Sequence, residues 1–281
     1  MIFECVVNVS EGRDQAVLSE LAAAAGPVLL DLHADPDHHR SVLTLAGAAE
    51  DLTAGVQALA TAAVTRLDLS AHEGAHPRHG VLDVVPFVPY GPSQHLSHPD
   101  LGAAVALRDQ FARWLSASLG VPTFLYGPLP GGRIRSLPQV RAAQFETMAP
   151  DFGPGQPHHT AGATAVGARG VLVAYNVWVS SLEVARRVAP LVRSPAVRAL
   201  GLAVGDRVQV SCNLTDPAAF GPAALYDRVL EEVRRAGGAV GGAELVGLLP
   251  DSVLRAVPRH RWDELDLAED RTVEFRLVGR T

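Results

Sequence analysis

The sequence predicts an α/β protein made of two similar halves. Strand-length apolar runs alternate with longer segments in which apolar residues recur every three or four positions. In the first half these segments follow the order strand, helix, strand, strand, helix, strand, and the same order returns in the second half. This βαββαβ order is typical of ferredoxin-like subdomains, and we expect two of them to pack around a central substrate cleft.

The elements of the first half come directly from this periodicity. We predict strands at 2–9, 28–32, 41–45 and 81–88, and helices at 13–25 and 50–67. A stretch rich in proline and glycine follows at 126–170, with a helical segment at 137–148. We interpret that stretch as a linker that is also a binding loop, because long irregular segments in compact enzymes are often functional.

The second half repeats the order with its own set of segments. Strands are predicted at 171–177, 200–204, 208–214 and 239–249, and helices at 182–192 and 222–236. The chain is therefore expected to divide into an N-terminal subdomain at 1–170, which includes the connecting loop, and a C-terminal subdomain at 171–281.

Composition excludes several classes of function. The chain has 281 residues, a formal net charge of −6 and 5% aromatic residues, which is not the basic, aromatic-rich surface of a nucleic-acid-binding protein. Apolar stretches such as 21–30 are too short to cross a bilayer, and no basic secretion signal follows Met1, so we expect a cytoplasmic protein without membrane contact. The chain contains no lysine, so bound carboxylates must be held by arginine, histidine or backbone amides.

The two cysteines are predicted to be structural. Cys5 and Cys212 both lie in β-branched runs typical of a core, and they form neither a disulfide framework nor a ligand cluster. We therefore do not expect a cysteine nucleophile.

The segment AHEGAHPRHG matches the zinc-protease pattern H-E-x-x-H at His72, Glu73 and His76. That pattern works on a helix, which puts both imidazoles on one face and lets them bind one Zn²⁺. Gly74 and Pro77 argue against a helix here, because the residue before a proline is driven toward extended backbone. A zinc hydrolase is therefore kept only as an alternative, and no metal is expected.

A histidine fixed in a loop at the entrance of a strand can also act as a general acid and base. His76 has this position, with Arg78 and Asp83 close by in sequence to orient a ring or a charge. A purely structural role, in which His76 caps the loop through a backbone hydrogen bond, stays open at this point.

The halves also share a weak internal similarity. "VVNVS" ends the first strand of one half and "AYNVWVS" that of the other, which places Asn8 and Asn176 at comparable points. Both asparagines either face a shared cleft or serve as turn residues at a strand end.

The chain resembles the glutamate formiminotransferases over nearly its whole length. The resemblance is carried by "ECVVNVSEG", "LLDLHADPDHHRSVLTLAG", "HEGAHPRHGVLDVVPFVP", "GVPTFLYG", "LPQVRAAQFE", "VQVSCNL" and "ELVGLLP". It implies transfer of the formimino group from N-formimino-L-glutamate to N5 of tetrahydrofolate in histidine degradation. It also implies that His76, in the "HPR" triplet, is the catalytic acid and base and that no metal takes part.

The resemblance further implies an electropositive cleft and a folate-binding loop. Arg40, Arg78 and Arg141 lie in family-like motifs and can bind the carboxylates of donor and folate, although a surface salt bridge is an equal alternative for Arg141. The folate loop maps to 153–162, where Thr160-Ala161-Gly162 replaces the Ser-Trp-Gly of relatives. The candidate binding residues are Asn8, His33, Arg40, Arg78, Arg141, Gly153, Pro154, Gly155, Gln156, Pro157, His158, His159, Thr160, Ala161, Gly162, Asn176 and Asn213.

Further expectations concern partners. We expect tetrahydrofolate as co-substrate, a homodimer, and possible association with a separate cyclodeaminase. A non-catalytic folate-binding protein is the alternative from another class; it would keep the fold and the loop but lose the surroundings of His76.

Overall fold

The structure is a computed structural model that describes residues 1–72, 78–91, 96–97 and 99–279. It divides into two compact units, Met1–Gln94 with Pro99–Arg169, and His95–His98 with Gly170–Thr281. Each unit has its own sheet and its own apolar core.

The first unit begins with the βαββαβ order and then continues with further elements. Its elements are β1 (Ile2–Val9), α1 (Gln15–Ala25), β2 (Leu29–Asp35), β3 (Arg40–Ala48), α2 (Ala49–Arg66), β4 (Leu82–Tyr90), α3 (Gly102–Leu119), β5 (Thr123–Pro128), β6 (Ile134–Arg135), α4 (Leu137–Ala143) and β7 (Thr164–Ala168). They form a seven-stranded sheet in the order β2-β3-β1-β4-β7-β5-β6.

The two faces of this sheet are covered differently. Val7 and Val9 of β1 pack into the main core with residues of α1, α2 and α3. Side chains alternate along a strand, so Asn8 lies on the opposite face. A smaller cluster on that second face joins Val84 of β4, Phe124 of β5 and Val140 of α4. The second face therefore carries polar residues at β1 and apolar cover at α4.

The second unit has the same βαββαβ order with a shorter sheet. Its elements are β8 (Val173–Val179), α5 (Leu182–Val192), β9 (Val197–Val204), β10 (Arg207–Leu214), α6 (Pro222–Arg235), β11 (Val240–Val246), α7 (Asp251–Arg255) and α8 (Val273–Val278). The sheet order is β11-β8-β10-β9, with every neighbouring pair antiparallel. Tyr175, Val177 and Cys212 pack into a core with α5 and α6.

The predicted α/β class with two sheets is confirmed. The predicted strands and helices of both βαββαβ segments are found, with ends that differ by a few residues. Kinship with ferredoxin-like folds, the assignment of the two subdomains and a cleft between the sheets remain predictions.

The interpretation of 126–170 as a linker is wrong. Its residues 164–168 form β7, which lies between β4 and β5 inside the sheet and pairs with both in parallel. The predicted helical segment at 137–148 is also shorter than expected and ends at Ala143. Phe145, two residues later, has a positive φ of 60°, which a continuing right-handed helix cannot accommodate.

Both cysteines are buried, as their sequence context suggests. Burial raises the pKa of the Cys212 thiol to about 12 and also raises that of Cys5, so neither side chain forms a thiolate at neutral pH. No helix in the described part of the chain has the length and apolar character that a membrane crossing needs.

Candidate functional site

A buried ionic cluster lies at the start of β4. The side chain of Asp83 is 2% exposed, and its Oδ2 accepts hydrogen bonds from Arg40 Nη1 at 2.8 Å and Arg141 Nη2 at 2.6 Å. Its Oδ1 accepts the backbone N–H of His79 at 3.0 Å. Burial disfavours the charged carboxylate, but the two guanidinium groups outweigh burial and lower the pKa of Asp83. Arg40 and Arg141 thus both contact the same carboxylate oxygen.

Asn8 extends this cluster across the sheet. Arg40 Nε donates to Asn8 Oδ1 at 3.1 Å, and Asn8 Nδ2 donates to the backbone oxygen of Val6 at 3.2 Å. The structure therefore brings together Asn8, Arg40 and Arg141, which lie far apart in sequence. A surface salt bridge, the alternative role for Arg141, is excluded because its partner Asp83 is buried.

Arg78 holds the turn between β2 and β3. Its Nη1 donates to the backbone oxygen of His39 and its Nη2 to that of His38, both at 2.9 Å. Nη1 also lies 2.6 Å from His72 Nε2. The same Nε2 lies 3.0 Å from the backbone oxygen of His39, so it accepts from Arg78 in one tautomer and donates to His39 in the other. Burial and the nearby Arg78 accordingly lower the pKa of His72.

A pocket of about 550 Å³ opens beside these residues in the first unit. It brings the end of the predicted folate loop together with two of the predicted arginines. The lining residues are Leu69, Ser70, Arg78, His79, Arg141, Ala142, Gln144, Phe145, Glu146, Pro157, His158, His159 and Gly162. His33 is not among them: it lies on β2, paired with Val42 of β3.

The end of the loop is fixed by internal hydrogen bonds. His158 and Gly162 exchange backbone hydrogen bonds of 2.8 and 2.9 Å, and His158 Nδ1 accepts the N–H of Ala161 at 3.0 Å. Thr160 accepts the backbone N–H of Leu69. Gly162 has φ +70°, and a Cβ there would lie 2.2 Å from the backbone oxygen of His79. Only glycine fits this close approach.

These bonds separate the loop into two parts. The side chain of Ala161 is 1% exposed, and its carbonyl accepts the N–H of Val81. Its methyl group is therefore packed in the protein interior, and its carbonyl is already hydrogen-bonded. Gly153, Pro154, Gly155, Gln156 and Pro157 are exposed. The predicted approach of backbone amides to a ligand is therefore available only in this first part.

The sequence analysis missed His79. Its backbone is held on both sides, since its N–H donates to Asp83 and its carbonyl accepts the N–H of Ala163 at 2.7 Å. Its half-buried side chain lines the pocket. Burial and the nearby Arg141 lower its pKa, while Asp83 opposes the shift. The signal was present in "HPRHG", but attention to the zinc pattern favoured His72 and His76.

The predicted residues of the second unit form a simpler arrangement. Asn176 of β8 donates from Nδ2 to Glu244 Oε2 of the neighbouring β11 at 3.0 Å. Asn213 is exposed on β10, where it pairs with Ala174 and Arg198. A cleft shared by Asn8 and Asn176 remains a prediction.

Comparison with known proteins identifies the family. Residues 2–169 match the model of the formiminotransferase domain, N-terminal subdomain. The chain belongs to the formiminotransferase family. It is 36% identical to glutamate formimidoyltransferase of Streptococcus pyogenes serotype M1, with 90% of each chain covered, and 32% identical to that of Thermoplasma acidophilum, with 92% of this chain and 91% of the relative covered. The predictions of formiminotransferase membership and of a transferase are confirmed.

Other relatives are longer than this formiminotransferase. It is 35% identical to the formimidoyltransferase-cyclodeaminase of Sus scrofa, with 89% of this chain and 50% of the relative covered. The chain thus spans about half the length of such fused relatives.

The zinc-protease pattern lies partly outside the described residues of this formiminotransferase, since 73–77 contains both Glu73 and His76. His72 ends a short 3-10 helix at Leu69–Ala71 and has extended backbone, with φ −91° and ψ 124°. A helical H-E-x-x-H must include its first histidine, so His72 does not have the backbone of a zinc-protease helix. The described residues contain no group of three or more side chains suited to a metal ion.

Proposed function

We propose that this chain moves the formimino group from N-formimino-L-glutamate to N5 of tetrahydrofolate. A bond forms between N5 and the formimino carbon, the bond from that carbon to the glutamate nitrogen breaks, and the N5 proton is passed to the leaving nitrogen. The observation that carries the proposal is the pocket in which Arg78 and Arg141 meet the predicted folate loop beside the "HPRHG" segment.

The charge of this pocket suits the donor. N-formimino-L-glutamate carries two carboxylates, and a site without lysine must bind them through guanidinium groups, imidazoles or amides. Arg40 and Arg141 both contact Asp83, and the guanidinium groups of Arg78 and Arg141 line the pocket. Cationic side chains on the pocket wall attract an anionic donor.

His76 is the proposed acid and base. It precedes Arg78, whose side chain lines the pocket, by two positions in the sequence. In the proposed reaction the imidazole of His76 accepts the proton of N5 and returns it to the glutamate nitrogen. Such a group typically contributes ~10²–10⁴-fold to the rate.

The exposed first part of the loop is the proposed site for the folate. Gly153 and Gly155 carry no side chain that would shield their backbone, and Gly153 has a positive φ of 96°. A planar ring system could therefore approach the amides of this segment closely. His158, His159 and Gly162, which follow this segment, line the pocket.

A non-catalytic folate-binding protein is the second candidate. We favour the enzyme because "HPRHG" is intact and the pocket contains titratable groups that mere binding of folate does not require. We further propose a cytoplasmic homodimer that works beside a separate cyclodeaminase, since fused relatives carry both activities in their names.

A donor comparison tests the proposed function. Purified protein is mixed with tetrahydrofolate and, in separate reactions, formiminoglutamate, formylglutamate or formiminoglycine, and the folate product is measured. We expect turnover with formiminoglutamate and at least ~10-fold less with the other two, because each lacks a group that the site would recognise. Tight folate binding without turnover of any donor would support the non-catalytic alternative instead.

A further inference from the structure

The side chain of His79 is positioned in the pocket by an unusually well-fixed backbone. Its N–H binds Asp83, its carbonyl binds Ala163, and the next residue, Gly80, forms a β-bridge with Gly162. A Cβ on Gly80 would lie 2.1 Å from the backbone oxygen of Ala163, so the chain can run here only with glycine. The backbone of His79 is therefore held in place, and its imidazole lines the wall of the pocket.

Two of the neighbouring side chains of the pocket are guanidinium groups. Arg78 and Arg141 can only donate. His158 Nδ1 already accepts the N–H of Ala161, and Glu146 is exposed. Among the described residues no side-chain hydrogen bond is found for His79, whose side chain lines the pocket. A neutral imidazole at this point offers one acceptor beside two guanidinium groups.

The proposed donor requires such an acceptor. A formimino group is an amidine, and in its protonated form all of its N–H groups donate. Arginine side chains can bind the carboxylates of the donor, but they cannot accept a hydrogen bond from its amidine. An amidine N–H buried without an acceptor would lose its hydrogen bond to water and weaken binding.

We propose that His79 binds the donor by accepting a hydrogen bond from its formimino N–H, which orients the formimino carbon for attack. This inference rests on the proposed function and adds a specificity-determining residue to it. The role differs from that of His76, because His79 keeps its protonation state throughout the reaction.

The surroundings of His79 keep its lone pair available. Asp83 on β4 would favour the protonated ring, but burial and Arg141 on α4 outweigh it and lower the pKa below its ordinary value of 6.5. The other charged or titratable groups that line the pocket are Arg78, Glu146, His158 and His159. At neutral pH the imidazole is therefore unprotonated, and it loses its acceptor only in acid.

Two substitutions separate this role from a structural one. In His79→Gln the amide oxygen still accepts a hydrogen bond but does not titrate, whereas His79→Leu fills similar space without an acceptor. We expect kcat/KM for formiminoglutamate to fall about tenfold to one-hundredfold in His79→Leu and by less than about fivefold in His79→Gln. The control is His260→Gln, which changes an exposed histidine of the second unit and should leave activity unchanged.

The pH profile supplies the second measurement. Wild-type kcat/KM should fall as the pH drops through the lowered pKa of His79, and this part of the acid limb should disappear in His79→Gln. If both variants retain wild-type kcat/KM, or if the acid limb is the same in wild type and His79→Gln, the inference is wrong while the proposed function stands. If the wild type transfers no formimino group from any donor, the proposed function itself fails.

Discussion

The two units share the order of their strands and helices, but the asparagine on the first strand has different hydrogen-bond partners in each. In both, the first strand carries an asparagine on the face away from the helix-packed core, because Val7 and Val9 pack in one core and Tyr175 and Val177 in the other. Asn8 bonds to Arg40, which joins a buried network through Asp83 to Arg141. The side chain of Asn176 bonds to Glu244 of the neighbouring strand.

This difference shows where the chemistry of the molecule originates. The βαββαβ order supplies Asn8, Arg40 and Asp83 in the first unit, whereas in the second unit the corresponding strand asparagine, Asn176, bonds to Glu244. Arg141 and the loop at 153–162 come from the segment between β5 and β7, which only the first unit has. The segment between β5 and β7 therefore contributes residues of the candidate site that the βαββαβ order does not supply.

The largest expected effect is that of His76→Ala. If the first unit holds the acid and base, this change should lower kcat by ~10²-fold or more while folate binding survives, because the group acts chiefly in the transition state. Steady-state kinetics and equilibrium folate binding measure the two quantities.

Glu73→Ala is the matched control for His76→Ala. A zinc hydrolase would lose activity with either substitution and with strong chelators, since one change removes a ligand and the other the general base. We expect Glu73→Ala and chelators to have little effect. Near-normal kcat in His76→Ala on every donor would contradict the acid and base role.

The buried network should matter more for stability than its counterpart in the second unit. Asp83→Asn removes the carboxylate that contacts Arg141 and Arg40, whose side chain is 14% exposed, and we expect a loss of about 3–5 kcal/mol in the free energy of unfolding. Glu244→Gln keeps an acceptor for Asn176 and should cost less than about 1.5 kcal/mol. Denaturant unfolding measures both, and equal losses would remove the distinction between the units.

A smaller effect is expected when lysine replaces Arg78, because lysine lacks the planar guanidinium group. Arg78→Lys keeps the charge but cannot bind the carbonyls of His38 and His39 with two separate nitrogens, so the free energy of unfolding should fall by about 1–2 kcal/mol. Arg235→Lys, an exposed arginine of the second unit, is the control and should change it by less than about 0.5 kcal/mol. Equal effects would show that the turn does not depend on Arg78.

The smallest effect concerns acid stability. The pKa of Asp83 is lowered in the folded state, so this carboxylate contributes stability that is present above its unfolded pKa and is lost as the pH falls through the lower folded value. Between pH 7 and its ordinary value of 3.8 the contribution should be constant, and it should decline only in stronger acid. The difference in unfolding free energy between wild type and Asp83→Asn should shrink below that pH, and a difference that stayed constant there would contradict the assignment.

The sequence predicted the elements of both βαββαβ segments well because their apolar periodicity is local. It did not predict the helix α3 or the strands β5 and β7, whose parallel pairing joins segments that are distant in sequence. The cluster around Asp83 joins residues from β1, β3, β4 and α4, and no local pattern reveals such long-range pairing. His79 was overlooked because its importance comes from the wall of the pocket rather than from a motif. Glu73 and His76 lie outside the described residues, so their roles stay predictions.

Transfer of a labelled formimino carbon tests the central claim most directly. N-formimino-L-glutamate labelled with carbon-13 at the formimino carbon is mixed with tetrahydrofolate and the purified protein, and the label is followed by NMR. We expect the label to appear in the N5-formimino group of the folate while one glutamate is released for each label transferred. Label that appears only in formamide or formate, with or without tetrahydrofolate, would show hydrolysis and contradict the proposed transfer.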